Sequence, residues 1–435
     1  MRSDSNRIII EGYTYSVKDL SKIHPGGPLF LEMFSGQDAT NAFMSYHRRK
    51  FPHHKYYGMK EFSIKPNDEW YDKDYLELCE KVAHVIPLHK SFAPLSYYIK
   101  IFVLLGSAIS LEYYMHYYIV YKWYLAAFMG LLYALIGLNI QHDANHGAIS
   151  RHFWVNRILG LTQNWIGGSA ISWIHQHVVQ HHIFTNDIRY DPDISGTRLL
   201  RLNPIREWQP YYSLQYIYFF ALIGLYGWTA IFDFIRDVWT GINYTKMSQY
   251  VVKQRRFDLL CSCIFITRWV AFPIYQTQSI YTIIQISPMM IVAGYYLAFF
   301  FILSHNFVGT KFWEICDDRK GFLYRQVTSS SNVGGEWLCF LNGGLNYQIE
   351  HHLFPRMNHT HYPKVAPIVK EFCKEKNIPY LHFDSITENL QSTIQHLYDL
   401  GNEDYYYDSG SECSSEFISD LDSDYSSDFD NKKNL

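Results

Sequence analysis

Three histidine clusters stand directly beside long apolar stretches: His142-Asp-Ala-Asn-His146, His177-Val-Val-Gln-His181-His182 and Gln348-Ile-Glu-His351-His352. Imidazoles at the rim of a hydrocarbon-length segment are costly unless they bind something. The clusters therefore restrict the chain to folds that bring distant segments, each next to a membrane span, to one point. Neutral imidazole suits iron, and iron attacks C–H bonds that no acid or base can touch.

Spacing supports a shared site. His142 and His146 are one helical turn apart and present two nitrogens from one face. His177 and His181 repeat that geometry, and His182 is turned about 100° from His181 on a helix, so it can serve a second ion while His181 serves the first. Gln348 and His351 share a face with His352 beside them, and His305 follows the apolar run that ends near Leu303. Eight histidines are too many for one ion, which points to two metals. His175 faces away from His177 on a helix and reads as structural or as support for a ligand.

Apolar stretches run over residues 97–120, 123–140, 212–232, 259–275 and 280–303. Each is long enough, or nearly so, to cross about 30 Å of hydrocarbon. Tyr121-Lys122 makes the first two a hairpin. All clusters must reach one site, so an even number of crossings separates the second from the third, and one of the last three stretches does not cross. Lys246, Lys253, Arg255 and Arg256 belong on the cytoplasmic side. This favours 259–275 and 280–303 as a second hairpin, with 212–232 lying in the interface. Arg268, inside the fourth stretch, argues for the alternative in which the third and fifth stretches cross. Seven cysteines without a Cys-x-x-Cys pair exclude a thiolate zinc site and fit a reducing compartment. No cleavable leader is recognised, which leaves targeting to the first span. Nothing in the sequence points to nucleic acid.

Ahead of the spans, His24-Pro25-Gly26-Gly27 lets the backbone turn tightly against a flat ligand, and His47 follows Gly36-Gln-Asp38-Ala-Thr40. Two histidines on opposite faces of a porphyrin fill both axial positions and make an electron carrier. His53 and His54 read as solvated charges beside Arg48, Arg49 and Lys50.

With these motifs together the chain resembles, over residues 12–385, a front-end fatty acyl desaturase with a fused N-terminal cytochrome b5-like domain. Glutamine at the head of the third box marks that family, and Ser304-His305-Asn306 matches another of its patterns. The resemblance implies a mainly α fold: a small α+β haem domain (residues 1–70), a four-transmembrane-helix desaturase domain with a cytosolic helical cap (71–385), and an acidic tail (386–435). It implies two Fe ions held by His142, His146, His177, His181, His182, His305, Gln348, His351 and His352, and a b-type haem between His24 and His47. Electrons would come from NAD(P)H-cytochrome b5 reductase. With O2 they would place a cis double bond in an unsaturated C18 to C22 acyl chain carried on CoA or phospholipid. The protein would sit in the endoplasmic reticulum membrane with its haem, histidines and tail facing the cytosol. A sphingoid-base desaturase, a membrane acyl hydroxylase and a non-catalytic haem- or lipid-binding protein are the competing readings.

In one respect the chain departs from the family. Related haem domains begin with a strand and helix well before the equivalent of Gly12, so part of the backing sheet is expected to be missing here, and the membrane domain is expected to complete the core. From Gly401 onward the chain carries ten acidic residues and two lysines. Few apolar side chains accompany them, which predicts a disordered tail.

Overall fold

The computed structural model describes residues 6–63, 72–196, 198–313 and 321–405. At the N-terminus β1 (Arg7–Ile10), β2 (Tyr13–Ser16) and β3 (Lys60–Ser63) form an antiparallel sheet in that order. The β1–β2 loop is Glu11-Gly12, both at positive φ (52° and 73°), as a two-residue hairpin turn requires. The short leader thus supplies a first strand, correcting the expectation of a truncated sheet. Helices α1 (Val17–Ile23), α2 (Leu29–Met33) and α3 (Thr40–His47) follow, with the Ser16 side chain accepting from the Asp19 amide at the head of α1. Ile8, Ile10, Tyr15, Val17 and Met33 form one core with Ile171, Ile174, Val178, Val179, Met247 and Val251 of the membrane part. Each fully buried aliphatic side chain contributes roughly 1.5–3 kcal/mol, so the N-terminal domain is fastened to the segment that carries the second histidine cluster.

The predicted domain limit at residue 70 lies outside the described residues. Beyond it, α4 (Lys73–Val85) buries Tyr75, Leu78 and Val82 against Leu353, Phe354, Val365 and Val369, behind the third cluster.

Among the described residues five helices are long and apolar enough to cross a membrane: Leu88–Tyr117, Trp123–Asn145, Pro210–Thr240, Arg255–Thr277 and Thr282–His305. Within them run α5 (Leu95–Tyr117), α6 (Trp123–Ile136), α7 (Gln215–Thr240), α8 (Arg255–Ile266) and α9 (Pro288–His305). Helix α9 lies in the middle, against α6 on one side and α7 on the other. Backbones touch where side chains are absent: a Cβ on Gly130 would lie 2.2 Å from the Met289 carbonyl oxygen, and one on Gly227 2.3 Å from that of Met290. Small residues are what permit such close approach between membrane helices.

The ends of α7 and α8 are tied differently. Gln215, at the start of α7, donates to the Leu397 carbonyl and accepts from the Arg201 amide. Asp237, near its end, accepts from Ser172, five residues before His177. Both ends of α7 are therefore held by segments on the histidine side. By contrast, Asp258 in α8 accepts from Asn164 and Ser169, while Gln276, past its far end, bonds Tyr121 and the His116 carbonyl at the turn joining α5 to α6.

Arg268 is fully engaged. Its guanidinium reaches both Glu112 carboxylate oxygens, the Trp165 carbonyl at 2.9 Å and the Tyr133 hydroxyl at 3.1 Å. Removing one partner of such a pair leaves an uncompensated charge and costs about 3–5 kcal/mol. Arg268→Leu is thus expected to lower the thermal midpoint in detergent sharply, and adding Glu112→Leu to recover most of the loss. Equal destabilisation by the double variant would show that the pair is not what matters.

The expected disordered tail is corrected over its first residues. Helix α10 (Gln348–Leu353) carries the third cluster, and α11 (Ile386–Leu400) is an ordered helix with Leu397 and Leu400 buried. Ser385 and Glu388 cap α11 reciprocally, since the Ser385 hydroxyl accepts from the Glu388 amide and Glu388 accepts from the Asp384 amide. The acidic run beyond residue 405 lies outside the described residues.

Candidate active site

All three clusters and His305 converge, and they divide into two groups. Ligand nitrogens of His142, His146, His177 and His351 lie within 4.8 Å of one another, and so do those of His181, His305 and His352. His182 belongs with the first group, its Nε2 3.2 Å from His177 Nε2 and 3.0 Å from His351 Nε2. Gln348 belongs with the second, its amide nitrogen 2.9 Å from His305 Nε2 and 3.1 Å from His352 Nε2.

Wide helical turns set this division. Residues 174–181 form a π-helix, and the His182 amide donates to the His177 carbonyl at 3.0 Å. A bond closing over five residues brings His182 to His177 as well, while the His181 ring still stacks on that of His177 at 5.3 Å. This departs from the α-helical spacing of the sequence reading, while keeping its assignment of His181 and His182 to different ions. A second π segment, Gly137–Gln141, re-aims the end of α6 just before His142.

Outer partners fix which nitrogen faces inward. Nδ1 of His181 meets Asp191 at 3.0 Å, that of His305 the Ser329 carbonyl at 2.9 Å, and that of His352 the Gln326 side-chain oxygen at 2.8 Å. These partners only accept, so Nδ1 carries the hydrogen and Nε2 turns a bare lone pair inward. His351 Nδ1 pairs with the Tyr362 hydroxyl at 3.2 Å, and His146 Nδ1 with the Tyr46 hydroxyl at 2.9 Å. Asp143 in the first cluster accepts from Asn358 and His359, locking the first cluster to the segment after the third.

This donor set fits cations. Both nitrogens of His142, Nε2 of His146, Nδ1 of His182 and the Gln348 oxygen are buried without a hydrogen-bond partner. Burial, then mutual repulsion, drives the affinities of His146, His177, His182, His351 and His352 for protons well below the usual histidine range. Burial acts the same way on His181, but Asp191 and Asp193 overcome it and push its pKa up to about 9, so its inward Nε2 takes up a cation, a proton or in its place a metal ion. Lone pairs about 3 Å apart repel unless a cation lies between them. Soft-to-borderline nitrogen donors with carboxylate-backed imidazoles are what divalent iron takes.

At the N-terminal domain, His24 and His47 face each other with ring centroids 6.1 Å apart. Their Nδ1 atoms are engaged by the Gly27 and Phe43 carbonyls at 2.8 and 3.1 Å, leaving the Nε2 lone pairs free. Two metal–imidazole bonds of about 2 Å plus two ring radii span roughly 6 Å, so the pair suits bis-histidine haem. Burial lowers both pKa values, that of His47 to about 3, and keeps the rings neutral.

Two histidines outside the clusters behave differently from each other. His175 points to Thr245 at 3.1 Å, a structural role. The expectation that His53 is a solvated charge is corrected: it lies between Tyr15 and the buried carboxylate of Glu11, both within hydrogen-bond distance. His54 is exposed, as expected. Tyr46, Asp191, Gln326, Ser329 and Tyr362 went unread in the sequence. Asp191 alone had a signal there, in the acidic pair of Asp191-Pro-Asp193 ten residues past the second cluster.

Comparison with known proteins agrees with this architecture. Residues 120–384 match the model of the Fatty acid desaturase family, and residues 2–82 that of the Cytochrome b5-like Heme/Steroid binding domain. An acyl-lipid (7-3)-desaturase of Rebecca salina is 43% identical over 90% of both chains, and one of Diacronema lutheri is 40% identical over 90% of both. Acyl-lipid (8-3)-desaturase B of Dictyostelium discoideum is 30% identical over 92% of both. The chain belongs to the fatty acid desaturase family, as a member with a cytochrome b5-like domain fused at its N-terminus.

Proposed function

We propose that the protein is an oxygen-dependent front-end desaturase of lipid-linked polyunsaturated acyl chains, with the (7-3) placement that the names of two relatives carry. The convergence of eight histidines and Gln348 into two adjoining, buried groups is the observation that supports it most directly. His142, His146, His177, His182 and His351 would hold one Fe ion, and His181, His305, His352 and Gln348 the other. His24 and His47 would hold the b-type haem, fed by NAD(P)H-cytochrome b5 reductase. Bound iron would supply the oxygen chemistry: O2, two hydrogens of the acyl chain, two electrons and two protons give a cis double bond and two waters.

The chain's own part is positioning, because neighbouring methylene groups differ little chemically and only a shaped channel can select a pair. A small apolar cavity of about 80 Å³ opens among α6, α7 and α9, lined by Gly137, Gly227, Leu297 and Phe301. It reaches Trp173, which stacks on His177 at 4.4 Å; Phe301 meets the same ring at 6.0 Å. An acyl chain entering there would meet the first histidine group.

The ties at the helix ends support four crossings. Helix α7, tied at both ends to the histidine side and packed on α9 between them, would be the one that does not complete a crossing, while α5 with α6 and α8 with α9 would be hairpins. The haem domain, both histidine groups and α11 would then share the cytosolic face of the endoplasmic reticulum membrane.

A host lacking polyunsaturated acids, fed defined C18, C20 and C22 substrates, tests the reading. Mass spectrometry is expected to find a new front-end double bond in the glycerolipid fraction. Hydroxylated acyl chains, or unsaturation confined to long-chain bases, would overturn it.

A further inference from the structure

A cavity of about 490 Å³ separates the haem domain from the membrane part, and both line it. His24, Phe30, Tyr46 and His47 face it from one side, and His146, Phe153, Arg157 and Arg356 from the other. Phe153 closes against the His24-Pro-Gly-Gly turn, where a Cβ on Gly27 would stand 2.9 Å from its ring. The turn expected to embrace a porphyrin is thus capped by an aromatic from the membrane part.

Charge on the lining is one-sided. Arg49, Arg151, Arg157 and Arg356 face a single carboxylate, Glu32. Arg356 follows the third histidine cluster by four residues, and its guanidinium rests over the Phe92 ring at 5.3 Å. Among the described residues no carboxylate pairs with it, and the charges it feels include the repelling Arg48. It in turn acts on His24, Tyr46 and His47. Arg157 donates to Gln254 through one nitrogen, and its other terminal nitrogen is buried without a partner. Asp258 attracts Arg157 from a distance, but among the described residues neither arginine is in an ion pair; partly buried cations without a bonded anion are costly, and two of them bordering an apolar slot call for a flat, apolar dianion.

We propose that the haem site is shared, with the desaturase domain closing the slot and Arg356 and Arg157 pairing with the two propionate carboxylates of the haem. This rests on the axial pair proposed above and goes beyond it, since it assigns haem-holding residues to the membrane part. Held this way, the haem needs no docking step, and its slot adjoins the iron site through Tyr46 on His146.

The test uses the full chain in detergent, reconstituted with haem or with haem dimethyl ester, which has the same ring without the carboxylate charges. Wild type is expected to lose the diester about tenfold faster to a haem acceptor than haem itself. Arg356→Gln is expected to cut that preference to about threefold, because one of the two pairs is already gone. The same variant should keep the low-spin spectrum while its midpoint potential falls. A loss of cation stabilisation for the reduced state equal to a tenfold change in the equilibrium is about 59 mV for one electron. Equal retention of haem and diester by wild type overturns the arginine pairing even if the variant fails to fold, as does an unchanged potential in a folded variant. Failure of the wild-type chain to take up any haem overturns the axial pair itself, a different result read from the same spectrum.

Discussion

Replacing His182 with alanine is expected to abolish desaturation, at a cost on the order of 1,000-fold or more in product per protein. Outer partners of metal-binding histidines typically cost roughly 10–100-fold when removed. A ligand should cost more, and His182 stands at the centre of its group, within 3.2 Å of the nitrogens of both His177 and His351. The loss should appear as iron as well as rate: the variant should bind less than the two irons expected of the wild type, with the haem spectrum unchanged. Asp191→Asn, which reaches His181 at its far nitrogen and keeps an oxygen for the Asn186 or Asp193 amide, should fall in the smaller range and keep most of its iron. Wild-type turnover by His182→Ala would sink the two-iron assignment, and an equal effect of the two substitutions would deny that the histidines differ in rank.

The histidines could be read in the sequence because metal ligation demands a residue type at a helical spacing, and both survive translation into one dimension. How His177, His181 and His182 are shared could not be read, because a π turn leaves no composition signature and shifts the face by one residue over its length. The ring orientations were equally hidden. Asp191, Gln326 with Ser329, Tyr362 and Tyr46 reach their imidazoles from four separate segments, and the Ser329 contact uses a backbone carbonyl that any sequence contains. Parity of crossings calls for one non-crossing apolar helix on a geometric constraint alone, and the ties at Gln215 and Asp237 are what supports α7 for that place in the proposed topology. Arg268 looked like an obstacle because its partner, Glu112, lies 156 residues away. Helix α11 was missed although Ser385-x-x-Glu388 is a capping box, since the acidic run after it drew the whole segment into one compositional reading.

The haem domain shows the reverse case, in which a local motif was legible and its setting was not. His24 and His47 announced themselves, yet the domain's core and cavity are completed by Ile174, Val178, Phe153 and Arg356. A substitution at the axial pair should therefore be felt as lost electron supply rather than as lost folding. His47→Ala is expected to erase the low-spin Soret band and to lower product formation to near background in a host without a compatible external b5. Iron content and thermal midpoint should stay close to wild type, because the His47 ring packs on Phe43 at 4.2 Å but lies outside the shared apolar core. Two electrons are needed for each double bond, so the defect should scale with electron delivery. Imidazole added in the millimolar range should refill the vacated axial position, restoring the low-spin band and part of the turnover together. If turnover persists at the wild-type rate while the band is gone, the haem is not the path by which electrons reach the iron, and the fused domain serves the enzyme in some way other than the one its two histidines imply.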